Sequence, residues 1–402
     1  MGFKFNKNRQ LITGYITTNK ILFFLIYCLF LFIPVAKSPS IVAGVSALAV
    51  WFLSGKFIKD RKKWLEQKWI LPVLAFLILP WAGLLWTEDQ RVGINFAKSS
   101  YLWFFPLMIA SIDSNGTTKK ESLLKAFLIG LSFTALLSIM QFLGVLPKKN
   151  GLPIGLLSGV AHGTLSLFLV FGILIVSFYF KNATTKRAKL LTLTLLVFYC
   201  IDLSVAQGRT GLLAFILLSP VIMYNLLGTR HILFIILASI SILVIFAASP
   251  TVRERMDLIK TDIEQYSKGN PDTSIGARFY MWKFSKDIFI EHPIIGAGTG
   301  SFKTLWKTNK PDKISRYFNT PHNTFLDVAS SFGLIGLVPL IWLFITLFRF
   351  GLYNWNNIVG FSVLIFVLVF FVGSFTNTLV AGFTNTAWVA SFLAFQGSVD
   401  NE

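Results

Sequence analysis

Two arginines and one histidine stand where polar turns meet long apolar runs. Arg209 lies in Gln207-Gly208-Arg209-Thr210-Gly211, Arg278 in Gly276-Ala277-Arg278, and His322 in Pro321-His322-Asn323. A guanidinium's planar fork matches the oxygens of a phosphate. A neutral imidazole can take a proton from an attacking hydroxyl, and nearby arginine charge disfavours the imidazolium, so such a base stays free at pH 7. Brought together, the three would hold an anionic leaving group and deprotonate a nucleophile. Taken singly, each has a plainer reading: Arg209 as a snorkelling helix end, Arg278 as a solvated charge, His322 as a satisfied histidine at an interface. Convergence on one cavity is what would give chemistry.

Other residues are candidates for support. Asn323 follows the histidine, and Asp327 lies five residues beyond it, where it could orient the imidazole. Gly333 and Gly336 sit one turn apart on the next apolar run, a spacing that lets helices approach closely. The other histidines, His162, His231 and His292, read as structural or surface residues. Gly296-Ala297-Gly298-Thr299-Gly300 resembles a phosphate-cradling loop but follows no strand, so it reads as a flexible turn. Asp202, two turns before Arg209, could pair with a cation inside a helix bundle. The outer loops hold no carboxylate cluster, so no metal and no other cofactor is expected.

The elements that would position these residues are set by composition. The chain has 402 residues, 54% of them apolar and only 14% charged, with 41 phenylalanines. A charged fraction that low rules out a disordered chain, a coiled coil and a nucleic-acid-binding tail. The apolar residues fall in about twelve runs long enough to cross a bilayer. These are 20–36, 39–55, 69–87, 95–112, 122–146, 159–180, 189–206, 209–227, 231–249, 324–348, 356–374 and 378–396. The two shortest or most polar are 39–55 and 95–112. Cys28 and Cys200 lie inside runs and offer neither a disulfide framework nor metal spacing.

An even number of spans puts both termini on one side, and the net charge of +19 helps choose it. With the termini inside, inner segments carry 19 Lys and Arg against 6 in the short outer loops. That asymmetry predicts a multi-pass membrane protein with cytoplasmic termini, and no nucleic-acid partner. The expected division is 1–249 for nine spans, 250–321 for one large outer loop, and 322–402 for three spans and a short tail. The loop's 12 basic residues are nearly matched by 8 acidic ones. Within it, Ser274 to Ile290 carries apolar residues at helical spacing, which predicts an amphipathic helix lying on the membrane surface.

At these residues the sequence resembles the O-antigen ligase family. His322, Asn323, nine residues to Phe332, then Gly333-Leu334-Ile335-Gly336 fit the family's His-(Asn/Ser/Gln)…Gly-x-x-Gly signature without departure. The segments SIGARFYMW…HPIIGAGTGSF and QGRTGLLAF are also similar to it. The resemblance covers about 200–345; before residue 150 it rests on hydropathy alone. It implies an all-α polytopic fold of the glycosyltransferase-C-like type, with short helices in a large periplasmic loop. It implies transfer of a glycan from undecaprenyl diphosphate to a sugar hydroxyl of lipid A–core, at the periplasmic face of a bacterial inner membrane, without ATP or metal. Carried over, Arg209 and Arg278 match the arginines that hold the donor diphosphate, and His322 matches the essential histidine. O-antigen polymerases and protein O-oligosaccharyltransferases share parts of the signature and are the alternatives. A transporter is a remote one, since no two related halves are visible.

Overall fold

The computed structural model describes residues 2–112, 117–147, 160–206, 208–227 and 250–397. All regular structure among them is helical. The helices are α1 (Gly2–Phe32), α2 (Lys37–Leu53), α3 (Lys56–Lys59), α4 (Arg61–Leu65), α5 (Ile70–Ala82), α6 (Gln90–Ala97), α7 (Phe104–Ser111), α8 (Thr117–Phe142) and α9 (His162–Asn182). There follow α10 (Lys186–Val205), α11 (Arg209–Leu227), α12 (Pro250–Ser267), α13 (Ser274–Glu291), α14 (Ser301–Asn309), α15 (Thr324–Tyr353), α16 (Ile358–Ser374) and α17 (Phe383–Leu393). By length and composition, five of them can cross a membrane: α8, α9, α10, α11 and α15. Shorter apolar helices lie at Thr17–Phe32, Lys37–Leu53, Ile70–Leu85 and Ile358–Ser374.

Several of the expected spans differ from a simple crossing, 95–112 and 378–396 among them. Run 95–112 is divided into α6, a 3-10 turn over Lys98–Trp103, and α7. Pro106, which lacks the N–H that would bond back to Leu102, sits in the first turn of α7, where that bond is not needed. Run 378–396 holds only α17, whose 11 residues reach about 16 Å at 1.5 Å each; a bilayer core needs about 30 Å. Run 231–249 lies outside the described residues.

The centre of the bundle is α9, apolar on every side and packed by α10, α11 and α16. Phenylalanine fills the space around it. Phe127, Phe168, Phe171, Phe366 and Phe392 surround Trp388 or one another with centroids 5.0 to 5.7 Å apart, mostly edge to face. Such rings bury large apolar area in few rotatable bonds, which suits a core that must hold shape without water as a driving force. Outside this core, α13 and α14 build a second, smaller one from Ala277, Met281, Phe302, Trp306 and Ile314. The expected amphipathic helix is therefore present as α13, but Ala277, Met281 and Ile288 are buried in protein. Its stripe packs on α14 and α15 and does not lie free for a membrane surface.

A long helix is opened by a strap. At Gly333 (φ 58°, ψ −147°) α15 leaves helical geometry, in a region open almost only to glycine. In an unbroken helix Leu334 N–H would donate to Ser330 and Ile335 N–H to Ser331. Here Leu334 donates to the Pro293 carbonyl (2.9 Å) and Ile335 to Ile294 (3.1 Å). The vacated carbonyls accept from the strap as well, Ser330 from Ala297 (2.9 Å) and Ser331 from Gly298 (3.0 Å). Segment 292–298 thus satisfies both sides of the break, the condition for irregular backbone at such depth. Thr299 fixes the far end, its hydroxyl donating to Pro80 (2.7 Å) while its carbonyl accepts from Thr87 Oγ1 (2.9 Å).

The two glycines expected to ease helix–helix contact therefore do different work. A Cβ at Gly333 would stand 2.4 Å from the Ile294 carbonyl, and one at Gly336 would meet Phe332 Cβ at 2.6 Å within its own helix. The Gly296–Gly300 stretch is pinned on both sides, in contrast to the flexible turn expected. Gly333→Ala combines a backbone clash with a positive φ, so it should destabilise by about 2 kcal/mol or more. Thermal unfolding in detergent checks this; an unchanged Tm would contradict the strap's role.

Candidate active site

Arg209 opens α11 and is positioned by the glycines around it. A Cβ on Gly208 would lie 2.2 Å from Ser166 Oγ, and one on Gly211 2.3 Å from Ser166 Cβ. Gly211 N–H donates to that same hydroxyl (3.1 Å). The Gly-Arg-Thr-Gly turn is thus a close seat of α11 on α9. Thr210 extends the seat to the segment after α16, its hydroxyl accepting from Thr376 (2.8 Å) and Asn377 (3.3 Å).

The Arg209 guanidinium pairs with Asp262 of α12 at 3.7 Å. The same carboxylate accepts from Ile275 N–H (3.3 Å) in the first turn of α13, where a negative charge is favoured. One turn on, Arg278 feels both groups: burial and the Arg209 charge lower its pKa, and Asp262 opposes them. It stays protonated regardless. Two guanidiniums therefore lie within electrostatic reach of one carboxylate in a partly buried place, and only Arg209 pairs with it. The surplus positive charge and its self-repulsion are what a bound dianion would relieve.

His322 lies within reach of the Arg278 charge. Its backbone is left-handed (φ 52°), and it is the one such non-glycine among the described residues. That conformation costs about 1–3 kcal/mol and persists only where neighbours enforce it. They do so on both flanks. Trp282 Nε1 donates to the Pro321 carbonyl (3.1 Å). Asn323 caps α15, its Oδ1 accepting from Leu326 N–H (3.0 Å) and its Nδ2 donating to Phe375 (3.3 Å). Thr324 Oγ1 donates to the Asn377 carbonyl and accepts from Leu379 N–H, both at 2.9 Å. The Phe318 ring meets the imidazole edge to face at 5.8 Å. Burial and the Arg278 charge push His322 from 6.5 down to about 4, so the imidazole is neutral at physiological pH, as its expected neighbours required.

The arrangement brings Arg209, Arg278 and His322 together and gives Asn323 the capping role. Asp327 is not hydrogen-bonded to His322; it starts the helix one turn on, and its carboxylate has no hydrogen-bond or ion-pair partner among the described residues. Asp202 is fully buried beside Ser138, and no cation pairs with it among the described residues. His292 is exposed and ends α13, while His162 starts α9; His231 lies outside the described residues. Among the described residues no three His, Cys, Asp or Glu side chains come together as metal ligands do. Sequence reasoning missed Asp262, Trp282 and the Thr210–Thr376–Asn377 contact. Their partners lie 39 to 167 residues away, so no local spacing marks them. The one available signal was that Asp262 is among only 8 acids in its loop.

Known proteins are similar to this chain. An uncharacterized protein of Haemophilus influenzae is 23% identical over 297 residues, 71% of this chain and 73% of that protein. An O-antigen ligase of Escherichia coli K12 is 25% identical over 303 residues, 69% of this chain and 70% of the ligase. The family model for O-antigen ligase matches residues 193–341. That matched segment, similar to the O-antigen ligase family, holds Arg209, Asp262, Arg278 and His322.

Proposed function

We propose that this protein is an O-antigen ligase that moves a glycan from undecaprenyl diphosphate to a sugar hydroxyl of lipid A–core. The observation that supports it most is a strained, neutral His322 within reach of the Arg278 charge, with Arg278 in turn near the Arg209–Asp262 pair. In this reading the donor diphosphate lies between Arg209 and Arg278. The acceptor hydroxyl attacks the anomeric carbon, and its proton passes to His322. The new carbon–oxygen bond forms as the bond to diphosphate breaks, and the charge that develops on the leaving group meets the preorganised guanidiniums. No nucleotide or metal is required by these residues' roles. Deletion of the gene followed by lipopolysaccharide gel electrophoresis tests the reading. A ligase mutant shows bare core and accumulates lipid-linked O-antigen, whereas core carrying a single repeat would mark a polymerase.

The site faces the periplasm in this reading, with loop 250–321 outside and both termini in the cytoplasm of a Gram-negative inner-membrane protein of about twelve spans. The 19-to-6 distribution of Lys and Arg supports that orientation. A reporter fused after Glu402 should be active when it requires the cytoplasm. Activity confined to a periplasmic reporter would contradict the topology.

A further inference from the structure

A cavity of about 80 Å³, lined by Asp327 though not by His322 itself, is unused by the roles above. It is bounded by α5, the 3-10 turn 98–103, the strap at Thr299 and Gly300, the first turns of α15, and residues 380–382. No residue of α11, α12 or α13, the helices that carry Arg209, Asp262 and Arg278, lines it. Its polar lining includes Asp327, Asn319 and Ser99, and its walls include Trp103, Phe302 and Phe332.

This chemistry does not suit the donor's diphosphate. Asp327 is a carboxylate without a cation partner among the described residues, and no Lys or Arg lines the cavity. The cavity therefore offers no cation to hold an anion. A carboxylate accepts strongly from hydroxyl groups, and aromatic walls offer apolar faces to the C–H side of a sugar ring. The volume is roughly half that of the cavity known to admit benzene, so it fits the hydroxyl-bearing edge of one sugar and not a whole glycan. Asp327 lies in the first turn of the helix that His322-Asn323 begins. A sugar edge held there would lie one helical turn along the chain from the residue assigned as base.

We propose that this cavity is the subsite for the acceptor sugar, with Asp327 accepting from its hydroxyls. The proposal rests on the ligase reading and adds to it where the acceptor sits. The test uses purified full-length protein, saturating lipid-linked donor, and lipid A–core from the deletion strain as the varied acceptor. Asp327→Asn should raise acceptor KM about tenfold or more, with kcat and donor KM within about twofold. Ala381→Leu, which enlarges a lining residue outside α15, should raise acceptor KM in the same way and decides the matter if Asp327→Asn fails to fold. Wild-type acceptor KM in the folded variants, or a rise in donor KM in its place, would overturn the subsite. Assaying His322→Ala in parallel separates the two failures: full turnover there overturns the ligase mechanism itself, whereas loss of turnover beside an unchanged acceptor KM in both cavity variants overturns the subsite alone.

Discussion

Replacing His322 with alanine should leave a folded, membrane-inserted protein whose turnover at saturating acceptor falls by about 10²–10⁴. Removing the side chain does not touch the capping bonds of Asn323 or the Trp282 bond to Pro321, so the helix junction survives. Alanine also accepts φ 52° poorly, so a small stability loss is expected beside the kinetic one. His322→Gly relieves that strain and should be equally inactive, which separates chemistry from backbone. The pH profile carries the sign. The folded pKa of His322 is depressed to about 4, so the neutral base persists as pH falls and is lost only as pH passes through that value. For the free enzyme, kcat/KM for the donor should stay flat from neutrality down to about pH 5 and then drop. A bound diphosphate offsets the Arg278 charge, so the acid limb of kcat should lie higher than that of kcat/KM.

Arg278→Ala should lower transfer by about 10²–10³, and Arg278→Lys should recover only part, lacking the two-pronged contact. It should also move the acid limb of the residual activity toward neutrality, because Arg278 is one of the two causes that hold His322 down. A clamp that merely bound donor would raise donor KM and leave that limb in place. Arg209→Ala should be at least as damaging, since it also leaves Asp262 without its ion pair beside the donor. If both alanine variants are stably produced and transfer glycan at wild-type rates, the arginine clamp is wrong.

Much of the fold was legible because several apolar runs report their own helices. Runs 189–206 and 209–227 correspond to Lys186–Val205 and Arg209–Leu227, and the amphipathic stretch 274–290 to Ser274–Glu291. Where a neighbour decides the backbone, the sequence pattern fails. Gly333 stands in a stretch as apolar as any span, yet its carbonyl and amide neighbours bond to a strap some forty residues earlier. The arginines and the histidine could be picked out by residue type. The reason they are held, through Asp262 on one side and a strained junction on the other, exists only in three dimensions.

The most direct measurement is transfer by the purified protein in lipid vesicles holding lipid-linked O-antigen and lipid A–core, with EDTA present and no nucleotide. The account predicts that core lipopolysaccharide acquires the whole preformed glycan, seen as a ladder shifted from bare core, and that His322→Ala abolishes the shift. Folded protein that leaves the core bare while lengthening the lipid-linked glycan, or that transfers equally well without His322, would contradict it.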